Sequence, residues 1–148
     1  MRTILAILAL ALVMTGCSGK NNAQTQQQSK AEPLCTPVPV RHAEWEEQAK
    51  AIAAKVDGVD EVAAVQIDND LNLAIKVSNF NRFKLQSIEK EVVSKLKTAF
   101  PDSKVHVTSD KRLFMDLQSM SGTPWPTDVK EACQKKKAAK ELEKKMQG

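Results

Sequence analysis

The sequence predicts an α+β fold: a small three-stranded sheet with helices packed on one face. The elements run in α-β-β-α-β-α order, followed by a charged C-terminal helix. Three observations predict it. Apolar residues recur at helical spacing over residues 43–56 and 83–100. They alternate at period two over 59–78 and again over 104–109. Between the first two alternating runs stands Asp68-Asn69-Asp70, residues that favour turns because Asn and Asp tolerate positive φ.

The folded region begins at Ala43. Trp45, Ala49, Ile52 and Val56 form the stripe of the first helix, with acids early and lysines late, as the helix dipole favours. Gly58 stands where a C-terminal cap belongs. Ala63, Val65 and Ile67 alternate before the turn, and Leu71, Leu73, Ile75 and Val77 after it, which reads as a β-hairpin. The Asp-x-Asp of the turn lacks the remaining ligands of a calcium loop. Leu85, Ile88, Val92, Leu96 and Ala99 stripe the second helix, with Asn79 or Asn81 as its cap and Pro101 as its stop. Val105 and Val107 point inward from the third strand. Asp110 caps a helix carrying Leu113, Phe114, Leu117 and Met120, which Gly122 and the following Thr-Pro-Trp-Pro break. Asp128, with Glu131 three residues on, opens the last helix, whose apolar stripe is thin.

A strand–helix–strand unit leaves its strands parallel and a hairpin leaves them antiparallel. The expected sheet therefore has strand one, the most apolar, between the other two. With helices on one face, the other is left open. There Gln66, Lys76, His106 and Thr108 form a candidate contact surface.

The N-terminus supplies an address. Arg2 precedes an unbroken apolar run from Ile4 to Met14, then Thr15-Gly16-Cys17. A basic start, a short apolar core and small residues make residues 1–16 a secretory signal. Eleven apolar residues at ~1.5 Å rise cover about half of a bilayer core, too few to span it. Small residues before a Cys resemble the lipobox of bacterial lipoproteins, which makes Cys17 the lipidation site. Residues 18–32 hold no large apolar side chain, and Pro33, Pro37 and Pro39 stiffen the chain just before the domain. Residues 17–42 thus form a lipidated, Pro/Gln-rich tether, 43–122 the α/β domain, and 123–148 a Pro-Trp linker and Lys-rich helix.

The net charge of +4 is unevenly spread. Asp128 to Gly148 holds seven lysines against four acids, among them Lys135, Lys136, Lys137, Lys140, Lys144 and Lys145, while residues 17–127 are neutral. In a lipid-anchored chain this basic tail is a candidate for anionic lipid, at up to ~1 kcal/mol per Lys. A neutral body without aromatic–basic interleaving argues against nucleic acid. With Cys17 assigned to lipid, Cys35 and Cys133 are candidates for a disulfide. The two His residues are far apart and there is no CxxC or HExxH, so neither a metal site nor a cofactor is expected. No Gly-rich phosphate loop or nucleophile elbow is present, and no catalytic residue is assigned.

Three pieces of the chain carry a family resemblance. They are residues 49–77, whose first helix ends in a V-x-G-V turn (Val56 to Val59) running into an alanine–valine strand; EKEVVSKLKTAFPD; and KVHVTSDKRLFMDLQSM, where a strand feeds a helix start at Ser109. Over Ala49 to Met120 the chain resembles the YhcN/YlaJ family of sporulation lipoproteins. The lipobox and polar tether fit as well; Asp68-Asn69-Asp70 replaces a glycine-containing turn, and the chain carries a long Lys-rich tail, whose presence varies among such proteins. The resemblance implies a membrane-anchored protein made during sporulation and carries over no catalytic residues. The expectation is a non-enzymatic lipoprotein of the cell or spore membrane, with its domain on the non-cytoplasmic side, making protein contacts or self-associating. The alternative is a phospholipid- or ligand-binding module using the open sheet face or the basic tail.

Overall fold

A computed structural model describes residues 35–147. The signal segment, Cys17 and the tether up to residue 34 lie outside the described residues, as does Gly148. The elements are α1 (Ala43–Ala53), β1 (Val59–Ile67), β2 (Asp70–Val77), a 3₁₀ helix (Asn79–Lys84), α2 (Leu85–Ala99), β3 (Lys104–Thr108), α3 (Lys111–Gly122) and α4 (Val129–Gln147). The class and the order are those expected from the sequence, including the final charged helix.

The strand order differs. β2, not β1, is central: it pairs antiparallel with β1 and parallel with β3. The outer edge of β1 is already occupied near its end. Arg41 forms a β-bridge to Ile67, the His42 N–H donates to the Gln66 carbonyl, and the Gln66 N–H donates to the Glu46 carboxylate at 3.0 Å. The strand returning from α2 therefore pairs with β2, whose residues Leu71 to Ile75 are all buried.

The faces differ too. The turn is two residues long, with Ile67 opposite Asp70 and Asp68 at φ 52°. An even-length turn puts odd-numbered residues of β1 on the same face as even-numbered residues of β2. Ala63, Val65 and Ile67 thus lie opposite the face of Leu71, Leu73 and Ile75. Each set needs its own cover, so helices pack on both faces rather than one. α1 and α2 bring Ala49, Ala53, Ile88, Val92 and Leu96 to the leucine face. α3 and α4 bring Leu113, Phe114, Leu117, Ala139 and Leu142 to the other. The thin stripe of α4 is enough to dock it, and the C-terminal helix is not a free tail.

Local chemistry sets the ends. The Asp110 side chain accepts from the Arg112 and Leu113 N–H groups and starts α3; Asp128 accepts from the Glu131 N–H at 2.9 Å and starts α4. Neither asparagine caps α2. Asn79 and Asn81 lie in the 3₁₀ helix, where Asn81 donates to the Ser78 hydroxyl. α1 stops at Ala53, before Gly58; that glycine, at φ 92°, forms the turn into β1 instead of the helix cap.

Candidate functional site

Of the four residues expected to share an open face, Lys76, His106 and Thr108 lie on one face, which α3 and α4 cover, and Gln66 lies on the other. Gln66 lies on the leucine side, fully buried, and its amide donates to the Asp68 carbonyl and the Ser103 hydroxyl. Thr108 is buried, and its hydroxyl accepts from the Asp110 N–H. Lys76 pairs with Glu61 at 2.9 Å and lies 4.4 Å over the Phe114 ring. His106 sits beneath α4. The open face closes because Ala63, Val65 and Ile67 are on it and draw α3 and α4 down.

Two of the tail lysines are docking residues. Lys136 binds Asp68 at 2.8 Å, and Lys140 bridges Asp70 Oδ2 at 2.9 Å and Glu143 Oε2 at 2.8 Å. Burial pushes the Asp68 carboxyl up, but hydrogen bonds from Lys136 and the Val40 N–H outweigh it and hold it below its ordinary value. Burial likewise pushes Lys140 down, and its bonds to Asp70 and Glu143 raise it above the ordinary lysine range. Lys144 pairs with Glu141 on the exposed side of α4. In the structure Cys35 and Cys133 are joined by a disulfide with a Cα separation of 5.7 Å, fastening the start of the described chain to α4.

Beside the lysine bridge, the sheet and α4 assemble a polar cluster. Asp70, His106 and Glu143 each offer a ligand atom, all within 4.8 Å of one another. His106 Nε2 lies 3.2 Å from Glu143 Oε1, out of line for a hydrogen bond. The three residues are distant in sequence, which is why no spacing motif reveals them.

The most exposed apolar feature lies elsewhere. In the 3₁₀ helix Phe80 is 95% exposed and Phe83 completely so. Residues three apart in such a helix eclipse, so both rings leave the surface in one direction, with Arg82 between them and Lys84 beyond. Arg82 also lines an adjoining cleft of about 530 Å³, with Asp60, Glu61, Lys76 and Lys111. The loop follows Val77, at the end of β2 opposite Asp70. The chain enters at the Asp70 end, where the Val40 N–H donates to Asp68 Oδ1 and Val40 O accepts from the Asp68 N–H. Sequence reasoning missed this pair of rings. The available signal was two Phe residues in a polar stretch, Asn79 to Lys84, that belongs to neither apolar pattern.

A match to the family described as sporulation lipoprotein YhcN/YlaJ covers residues 16–124. The chain belongs to that family. The YhcN/YlaJ match begins one residue before Cys17 and ends before α4, so it takes in the Phe80–Phe83 loop, Asp70 and His106 but not Glu143. Comparison with curated proteins and with solved structures finds no match. Membership makes the chain a sporulation lipoprotein, associated with a membrane through lipid. None of the described helices is long and apolar enough to cross a membrane.

Proposed function

We propose that this YhcN/YlaJ lipoprotein is a non-enzymatic contact module. It is anchored by lipid on Cys17, held on the non-cytoplasmic side, and engages a protein partner through the Phe80–Phe83 loop. The observation that carries this reading is the pair of exposed rings. Burying each in a partner is worth ~1.5–3 kcal/mol, and together they suffice for a reversible contact when the tether supplies a high local concentration. Arg82 and Lys84 select a pocket with an acidic rim. The loop lies at the end of the sheet away from the chain's entry, which favours a protein partner over the bilayer that holds the anchor.

Photo-crosslinking tests the contact. A benzophenone side chain at position 83 in the full-length, membrane-anchored protein is expected to yield a protein adduct. The same group at Met115, exposed on α3, should not give that adduct, and Arg82→Glu with Lys84→Glu should abolish it. Adducts to lipid alone would replace the protein contact with a bilayer contact, and equal labelling from both positions would remove the loop from consideration. Mass spectrometry of the mature N-terminus tests the anchor, since a chain starting at Met1 or an unmodified Cys17 would end that part.

A further inference from the structure

We propose that Asp70, Asn72, His106 and Glu143 form a binding site for a zinc-class divalent cation that clasps α4 to the sheet. The carboxylates alone would not make the case, because Lys140 already bridges them. The argument rests on atoms that the lysine does not use. It takes Asp70 Oδ2 and Glu143 Oε2, while Asp70 Oδ1 is buried with no hydrogen-bond partner. Asn72 is 1% exposed, and its Oδ1 is also buried and without a partner. It lines the same crevice as Asp70, Lys140 and Glu143 and stands opposite His106 in the parallel register. His106 Nε2 is the third such atom, 3.2 Å from Glu143 Oε1 but without a hydrogen bond.

Two orphaned oxygen acceptors in one place are costly, at ~1–3 kcal/mol each, and an imidazole nitrogen stands beside them. The crevice admits no water molecule that could satisfy them. A bare cation is smaller than water and takes up lone pairs without needing an acceptor. Ligands ~2.0–2.1 Å from a tetrahedral zinc stand roughly 3.3 Å apart, close to the separation of His106 Nε2 and Glu143 Oε1. One imidazole nitrogen with carboxylate and amide oxygens suits zinc better than calcium or magnesium, which take oxygens only. Gln147 completes the arrangement. Its amide nitrogen lies 3.4 Å from His106 Nδ1 and donates to Glu143 Oε1 at 3.3 Å, so it positions both ligands from α4. Because Glu143 and Gln147 come from α4, the metal would bind only the docked helix and so hold it in place.

The experiment uses the lipid-anchored protein extracted into detergent, stripped with a chelator and titrated with ZnCl₂. One zinc per chain is expected, with a rise in melting temperature at one equivalent. His106→Gln and Glu143→Gln should each weaken uptake by about 10-fold or more. Lys140→Gln should strengthen it, because a neighbouring positive charge is removed; a lysine that merely completes an ion-pair network predicts the reverse. Should the ligand variants fail to fold, the ring signals of the wild-type chain decide. His106 should shift at one equivalent of zinc while His42 stays, and an unmoved His106 overturns the site. No uptake at equimolar zinc, or uptake indifferent to both ligand substitutions, overturns it equally.

Discussion

Replacing Arg41 by Met should be among the most damaging single changes in the module. Arg41 Nη2 lies 2.7 Å from Glu46 Oε2, and its Nε donates to Oε1 at 2.8 Å. Its other hydrogens cap the C-terminal end of α3, with Nη1 donating to the Thr123 carbonyl at 2.8 Å and Nη2 to the Ser121 carbonyl at 2.7 Å. One guanidinium thus joins the entering chain, α1 and α3, while Glu46 also holds the edge of β1. The hydrogen bond to Glu46 raises Arg41 above its ordinary value; burial works against it and the charge of Glu46 adds to it. Removing one partner of a buried ion pair costs ~3–5 kcal/mol. A domain of this size has ~5–15 kcal/mol in all. In urea, with a slope of ~2 kcal/mol/M, the midpoint should fall by ~2 M. Arg41→Met combined with Glu46→Met should cost less than the sum of the two singles, because the stranded carboxylate is gone although the Gln66 N–H loses its acceptor. An Arg41→Met cost under ~1 kcal/mol, or a double variant equal to the sum of the singles, would refute the reasoning.

Leu142→Ala should cost ~2–5 kcal/mol, and deleting residues 129–147 should expose the second core and bind a hydrophobic dye, since α4 is a layer of the fold. A deletion variant that melts like the parent would contradict that. Reduction of Cys35–Cys133 should lower the melting temperature without unfolding the chain at room temperature. Its 98-residue separation puts the stabilisation at up to ~4–5 kcal/mol. The docking of α4 should weaken at both pH extremes. Asp68, held below its unfolded value of 3.8, stabilises above that value and stops as pH falls through its lowered pKa. Lys140, raised above 10.5, stabilises below that value and stops as pH rises through its elevated pKa. Hydrogen exchange in α4 at pH 3, 7 and 11 checks the sign. Gly58→Ala should destabilise by more than ~1 kcal/mol, because its φ is 92° and a Cβ would meet Asn81 Nδ2 at 2.8 Å and Ile88 Cδ1 at 2.9 Å.

Helix and strand positions were legible because each is written in a local period. Val92 and Leu96 on α2, or Leu71 and Leu73 on β2, announce their element within a few residues. Two things were not local. The facing of β1 depends on whether the turn is two or three residues long, and Asp68-Asn69-Asp70 is compatible with either. One residue of ambiguity moved Ala63, Val65 and Ile67 to the other side and turned an open sheet into a covered one. The docking of α4 is hidden for a related reason. Ala132, Ala139 and Leu142 look too sparse to dock a helix until Asp68 and Asp70, in a distant turn, are seen receiving Lys136 and Lys140. The candidate sites were least legible. His106 and Glu143 meet only through the tertiary fold, and Phe80 and Phe83 resemble ordinary core residues until their exposure is seen.

The opposed placement of the chain entry and the Phe80–Phe83 loop has a mechanical consequence. Val40 pairs with Asp68 beside the start of β2 and the loop follows its end, so a pull between these two points is borne along a strand of about 23 Å. β1 and β3 lie beside it on either hand, and their hydrogen bonds stand across the line of pull. Such a load shears many bonds together instead of unzipping them one by one. The disulfide divides the load at its point of entry, one branch running through Arg41 into α1 and the other through Cys133 into α4. A module built this way resists extension along its axis better than peeling from its side.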